Sequence, residues 1–169
     1  METDEIFERK AINHDKWVLF DLDGTLADIR HRLKFIRNET PDKPECEFKK
    51  NWPELNAHLH LDVVKEPVKK LCQMVFDSGY NIAIVSGRSD QYKPQTIKWL
   101  LSNRIPYDEI HMRPGGDYRK DSTVKFEIYH REFFNKGREV LFVVDDRDQV
   151  VNMWREQGLT CFQCQKGNY

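Results

Sequence analysis

Asp21-Leu22-Asp23-Gly24-Thr25-Leu26 directly follows the apolar run Trp17-Val18-Leu19-Phe20. Ser86-Gly87-Arg88 follows a second such run, Tyr80 to Val85. Asp145-Asp146 follows a third, Val140 to Val144, and Lys125 stands near the start of a helical pattern. Carboxylates brought together repel one another strongly unless a cation sits among them. Mg²⁺ suits such a place, because it takes one or two carboxylates plus phosphate oxygens and water. Phosphoryl transfer can be built from these parts. Asp21 is expected to attack phosphorus in line and become an aspartyl-phosphate. Asp23 is expected to protonate the leaving oxygen, then to take a proton from the water that cleaves the intermediate. Ser86 and Lys125 are placed to hold phosphoryl oxygens, where charge must be stabilised. Asp146, with Asp145, completes a metal set with Asp21 and Asp23. Gly24 allows the sharp turn that lets Asp21 and Asp23 face one point.

Such a constellation needs elements that converge. Lys16 to Asp21 reads as a buried strand, an apolar run ending in carboxylates. Pro67 suits a helix start, and Val68, Leu71, Cys72, Val75 and Phe76 form one apolar helical face closed by Gly79. Tyr80 to Val85 is a second strand. A helix from Pro94 to Ser102 is expected to turn Ile97, Leu100 and Leu101 inward, and Glu109 to Met112 gives a short strand. Asp121 or Ser122 is expected to cap a helix reaching Asn135 and closed by Gly137. Val140 to Val144 and Thr160 to Gln163 are further strands, with a helix from Gln149 to Glu156 between them. Alternating strands and helices predict an α/β fold with a parallel sheet, whose site lies beyond the carboxyl ends of the strands. The chain reads as one domain over residues 1–169, with a core of about 16–26 and 67–169. A cap insertion of short helices and loops occupies about 27–66.

The whole composition fits a folded domain and excludes a membrane protein. The chain has 169 residues, 39% hydrophobic and 33% charged, and a net charge of −1. The longest apolar run has five residues, Val140 to Val144, far short of a membrane span. The charged stretch from Met1 to Lys16 lacks the apolar centre of a signal peptide. With four cysteines and no export signal, a reducing cytoplasm is expected, that of an infected host cell included.

Asp21-Leu22-Asp23-Gly24-Thr25-Leu26 resembles the first motif of the haloacid dehalogenase (HAD) superfamily. Ser86, Lys125 and Asp145-Asp146 match its second, third and fourth motifs in order. The resemblance implies a HAD-like Rossmannoid three-layer sandwich with a central parallel sheet and a small helical cap after the first strand. The second aspartate, Asp23, points to a phosphatase, with a phosphomutase less favoured. Arg119-Lys120-Asp121, the run from Val144 to Trp154, and the tail with Cys161-Phe162-Gln163 and Gly167-Asn168-Tyr169 are similar to the phosphatase domain of phage-type polynucleotide kinase-phosphatase. That likeness implies Mg²⁺-dependent removal of 3′-phosphates from DNA or RNA ends. It also implies that Arg32 and Arg88 contact substrate phosphate, that Thr25 and Gly87 help bind it, and that Asp121 orients a basic neighbour. No Gly-x-x-x-x-Gly-Lys-Ser/Thr loop is present, so kinase activity would come from a separate polynucleotide kinase, and a ligase is a further expected partner. A small-molecule HAD phosphatase such as a nucleotidase is the alternative, and a catalytically dead binding module the second.

Several other residues invite assignments. Arg30 to Lys50 holds seven basic residues against four acids, a candidate rim for strand phosphates. Phe35, Phe48, Trp52 or Tyr118 could stack a terminal base, although Phe48 and Trp52 are expected to pack the cap on itself. Cys161 and Cys164 are expected to lie on a terminal strand with one of them buried, rather than to bind zinc. His58 and His60 are not expected to form a metal pair, while His31 stands near the entrance. Asp148 is expected to be a helix cap. Lys120 rivals Lys125 for the phosphate-binding role.

Overall fold

A computed structural model describes residues 14–36 and 50–167. Strand β1 (Trp17–Phe20) is followed by a two-residue strand β2 (Ala27–Asp28), a 3-10 turn (Arg30–Phe35) and helix α1 (Trp52–Ala57). Strand β3 (Val63–Val64) pairs antiparallel with β2 and brings the inserted segment back to its point of departure. Helix α2 (Glu66–Asp77), strand β4 (Asn81–Ser89), helix α3 (Lys93–Ser102) and strand β5 (Glu109–Arg113) come next. Helix α4 (Asp121–Glu132), strand β6 (Val140–Arg147), helix α5 (Asp148–Glu156) and strand β7 (Cys161–Gly167) complete the chain.

The five long strands form one parallel sheet in the order β5-β4-β1-β6-β7. β1 lies in the centre. The chain builds outward from it on one side through β4 and β5, then crosses back to add β6 and β7. That reversal makes a crevice beyond the carboxyl end of β1, where such sheets bind ligands. Both faces of the sheet are covered, so β1, β4 and β6 read as continuous apolar runs. Successive side chains nevertheless sort into two cores. Val18, Phe20, Ile82 and Ile84 pack with Cys72, Phe76, Trp99 and Leu100 of α2 and α3. Trp17, Leu19, Ala83 and Val85 pack with Val124, Ile128, Val151 and Trp154 of α4 and α5.

The structure corrects details of the sequence reading. α3 buries Thr96, Trp99 and Leu100, whereas Leu101 is 50% exposed. Ser86-Gly87-Arg88 and Asp145-Asp146 fall inside the last stretches of β4 and β6 rather than after them. Neither Asp121 nor Ser122 caps α4: Lys120 occupies that place without a side-chain bond, leaving the Asp121 carboxylate for other partners. Asp148 likewise begins α5 instead of capping it, and its carboxylate accepts from Gln163 Nε2 at 2.6 Å. No helix among the described residues is long and apolar enough to cross a membrane.

Candidate active site

The alternation along the strands delivers the acidic groups. In β1 the side chains of Trp17 and Leu19 enter the core under α4 and α5, and Asp21 continues that series beyond the strand. In β6 the corresponding step runs from Val143 to Asp145. Both carboxylates therefore meet Lys125, which α4 carries beside the buried Val124 and near Ile128. Lys125 Nζ donates to Asp21 Oδ1 at 2.6 Å and to Asp145 Oδ2 at 2.9 Å, and stands 3.6 Å from Asp121 Oδ2 one helical turn back. Burial alone would pull the Lys125 ammonium down, but the carboxylates of Asp121, Asp145 and Asp21 outweigh it and hold it well above its ordinary value. The rival Lys120 is exposed and makes none of these contacts.

Asp145 is heavily tied. Its Oδ2 also accepts from Trp154 Nε1 at 3.2 Å, and its Oδ1 accepts the backbone N–H groups of Asp146 and Arg147 at 2.9 and 3.2 Å. Asp146 Oδ1 accepts from Thr25 Oγ1 at 3.3 Å. Asp21, Asp145 and Asp146 are all buried, and each offers an oxygen within 4.8 Å of the others. Burial first, then Asp145 and Asp146, push the Asp21 carboxyl well above the usual range against the pull of Lys125. Three buried carboxyl groups gather beside one bonded ammonium. That donor set fits a hard divalent cation. The wall beside it is cut close: a Cβ at Gly167 would fall 2.2 Å from Asp146 Oδ2.

Asp23 belongs to a second, adjoining network. Its carboxylate accepts from Arg32 Nη2 at 2.6 Å and from Arg88 Nη2 at 2.5 Å. Burial alone would raise it, but Arg88 and Arg32 hold it well below the usual carboxylate range. Among the described residues the acids that can share one ion are Asp21, Asp145 and Asp146, with the Asp23 side chain turned to the two guanidiniums instead. Arg32 is fully enclosed and fork-bonded to Asp62, whose oxygens accept from Nε and Nη2 at 2.6 and 2.7 Å. Arg88 also reaches Asp62 at 3.2 Å and donates to Thr96 Oγ1 at 3.0 Å. Arg88 lines the cavity over Asp21, while Arg32 stands behind it. Ser86 is buried, and its hydroxyl accepts the Arg88 N–H at 3.2 Å.

Three basic side chains gather at the Asp121 carboxylate. Arg113 and Arg147 approach its carboxylate at 3.3 and 3.5 Å, besides Lys125. Arg113 Nε donates to the Gly87 carbonyl at 2.6 Å, which holds the end of β4 against this group. The side chain that Gly87 lacks explains how Asp121 comes so close: a Cβ there would sit 1.8 Å from Asp121 Oδ1. Gly87→Ala is therefore expected to push Asp121 off Lys125 and to lower kcat by about tenfold or more, with a stability loss of about 1–3 kcal/mol. Steady-state kinetics beside urea unfolding will separate the two effects. An unchanged kcat would mean that Asp121 does not govern Lys125.

Asp62, Arg113 and Thr96 escaped the sequence reading, since no local spacing marks them. The remaining candidates resolve simply. Cys161 is buried and Cys164 exposed on β7. His58 and His60 bond back to the carbonyls of Glu54 and Ala57. His31 Nε2 stands 3.6 Å from Asp62 Oδ1. Phe35 stacks on His58 with ring centroids 5.0 Å apart. Trp52 does not bury itself in the cap but is 45% exposed and lines the cavity. Phe48, Arg37, Lys43 and Lys49 lie outside the described residues. The cavity measures about 420 Å³.

A parallel sheet in this order, with acids at the ends of β1 and β6 and a lysine from α4, is the architecture of HAD-type hydrolases. A HAD-like family hydrolase from Streptococcus pneumoniae shares the fold at a TM-score of 0.61 and 13% identity, over 88% of this chain and 83% of that one. Greater likeness is found to chains of two Pnkp1/Rnl/Hen1 complex structures, one described as an RNA repair complex. Each shows 33% identity and a TM-score of 0.73, over 91% and 92% of this chain. The chain spans 43% and 47% of those two chains, less than half of each. The family model of the polynucleotide kinase PNKP phosphatase domain matches residues 47–169. The chain belongs to that phosphatase family.

Proposed function

We propose that this chain is a Mg²⁺-dependent polynucleotide 3′-phosphatase working through an aspartyl-phosphate on Asp21. The observation that carries the chemistry is Lys125 bridging Asp21 and Asp145 at 2.6 and 2.9 Å on the floor of an accessible cavity. The substrate class rests on membership of the PNKP phosphatase family and on the likeness to a chain of an RNA repair complex. A bound Mg²⁺, held by Asp21, Asp145 and Asp146, would neutralise charge on the phosphoryl oxygens and on the attacking carboxylate.

The chain's own groups have separable tasks. Asp21 attacks phosphorus, and Lys125 and Ser86 balance charge on the phosphoryl oxygens. Arg88 supplies a guanidinium at the cavity wall. In the resting arrangement Asp23 is a carboxylate, the form that takes a proton from the attacking water in the second half-reaction. To act first as an acid it must loosen from a guanidinium and take up a proton from water, and an arriving phosphoryl dianion competes for Arg88. Arg32 fixes Asp23 from behind. Thr25 steadies Asp146, Gly87 leaves room for Asp121, and Asp121 keeps Lys125 charged and aimed. A separate kinase and ligase would complete end repair around this activity.

The test compares one oligonucleotide phosphorylated at its 3′ or its 5′ end, with Mg²⁺ and with a chelator. Release of phosphate from the 3′ end, at least tenfold faster and lost with the chelator, is expected. Equal rates for both ends and for a free mononucleotide would transfer the assignment to a small-molecule phosphatase.

A further inference from the structure

The cavity is larger than a phosphoryl group requires, and its volume of about 420 Å³ lies in the range of sites that take whole small molecules. Two elements with no share in the phosphoryl chemistry line it. One is the entry to α1, with Lys50 and Trp52. The other is the turn between β5 and α4, with Tyr118 and Lys120. Tyr118 is 91% exposed and Trp52 45%. Among the described residues no ring packs on Tyr118, and the Trp52 ring is met by the Lys50 ammonium at 5.8 Å. Lys50 and Lys120 make no ion pair with a described acid, unlike Arg119 beside them, which is taken by Asp117 and Glu127. Phe35 is already spent on His58.

Two exposed aromatic rings and two ammonium groups that make no ion pair with a described acid, beside a phosphoryl site, match one ligand chemistry. Bases offer a π face whatever their identity, and stacking on tyrosine or tryptophan tolerates any sequence. Backbone phosphates offer point charges that suit lysine. We propose that Trp52 and Tyr118 stack the last bases of a single-stranded end, and that Lys50 and Lys120 take the backbone phosphates next to it. This grip selects a polymer end over a free phosphomonoester. It rests on the polynucleotide reading above and adds the residues that enforce it.

The test uses 3′-phosphorylated DNA and RNA hexamers and glycerol phosphate, with the parent chain and Trp52→Ala, Tyr118→Ala, Lys50→Ala and Lys120→Ala. For the aromatic variants the ratio of kcat/KM for hexamer over glycerol phosphate is expected to fall by about 5- to 100-fold, mostly through KM. For each lysine variant the slope of log KM against log salt should flatten by about 0.7. Hexamer ratios and salt slopes equal to the parent's in all four variants would overturn the grip. A parent that hydrolyses glycerol phosphate but neither hexamer would overturn the polynucleotide reading instead. Loss with DNA alone or RNA alone supports the grip and identifies which strand it holds.

Discussion

Asp21→Asn is expected to lose turnover by a factor on the order of 10⁴ or more and to fold as well as its parent. The loss follows from the role of the carboxylate, since an amide cannot form the acyl-phosphate bond. The folding follows from the surroundings. Asp21 is buried beside Asp145 and Asp146, and both burial and those neighbours disfavour its charge. Removing it relieves repulsion when no cation is bound, while Lys125 keeps Asp145 at 2.9 Å and Asp121 at 3.6 Å. In a chelator-treated sample the melting temperature should equal or exceed that of the parent. A fall of several degrees would make Asp21 a structural group, and residual turnover near the parent's would remove the covalent route. Stability gained where activity is lost is the usual exchange at a preorganised site.

Arg32→Ala should be the most destabilising single change in the site, by about 3–5 kcal/mol at pH 7. The guanidinium is fully enclosed and holds Asp62 through two bonds and Asp23 through a third. Its removal strands buried negative charge beside Arg88. Lysine cannot rescue it, because one ammonium cannot reproduce the planar fork. The pH dependence has a definite sign. The Asp23 carboxyl is held below its ordinary 3.8 in the folded state. Its contribution is therefore complete above about that pH and is lost as pH falls through the lowered folded value. In Arg32→Ala the stranded carboxyls bind protons more readily, so the deficit should shrink between pH 7 and pH 5. Urea unfolding at both values reads this directly. A deficit under 1 kcal/mol at pH 7 would show that Arg32 is not needed to neutralise Asp62.

What the sequence disclosed and what it hid follow a physical line. Asp21, Ser86 and Asp145-Asp146 were legible because each terminates an apolar run, and a strand end in a parallel sheet is a position as well as a pattern. Lys125 was legible only with the family likeness, since helix spacing alone does not separate it from Lys120. Asp62 was invisible. It lies in the inserted segment between short elements, and its meaning comes from Arg32 and Arg88, 30 and 26 residues away. Leu101 and Trp99 both fit an apolar helical stripe, and the tertiary contact decides that Trp99 is the buried one. Trp99 Nε1 donates to the Asp62 carbonyl at 2.9 Å. Asp121 and Asp148 have the composition of helix caps, yet Asp121 serves Lys125, Arg113 and Arg147 and Asp148 serves Gln163. A short carboxylate goes to the nearest cation or amide.

The sorting of β1 side chains into two opposite cores sets a rule for changes of length. With Trp17, Val18 and Leu19 held in their cores, inserting one residue before Phe20 would turn Phe20 to the wrong core and swing Asp21 away from Lys125. With Asp21 held instead, Trp17, Val18 and Leu19 would change faces, so either the site or the core would fail. Two inserted residues would restore both facings at the cost of a longer strand. Evolution can lengthen the inserted segment after Ala27 one codon at a time, but can lengthen β1 only in even steps.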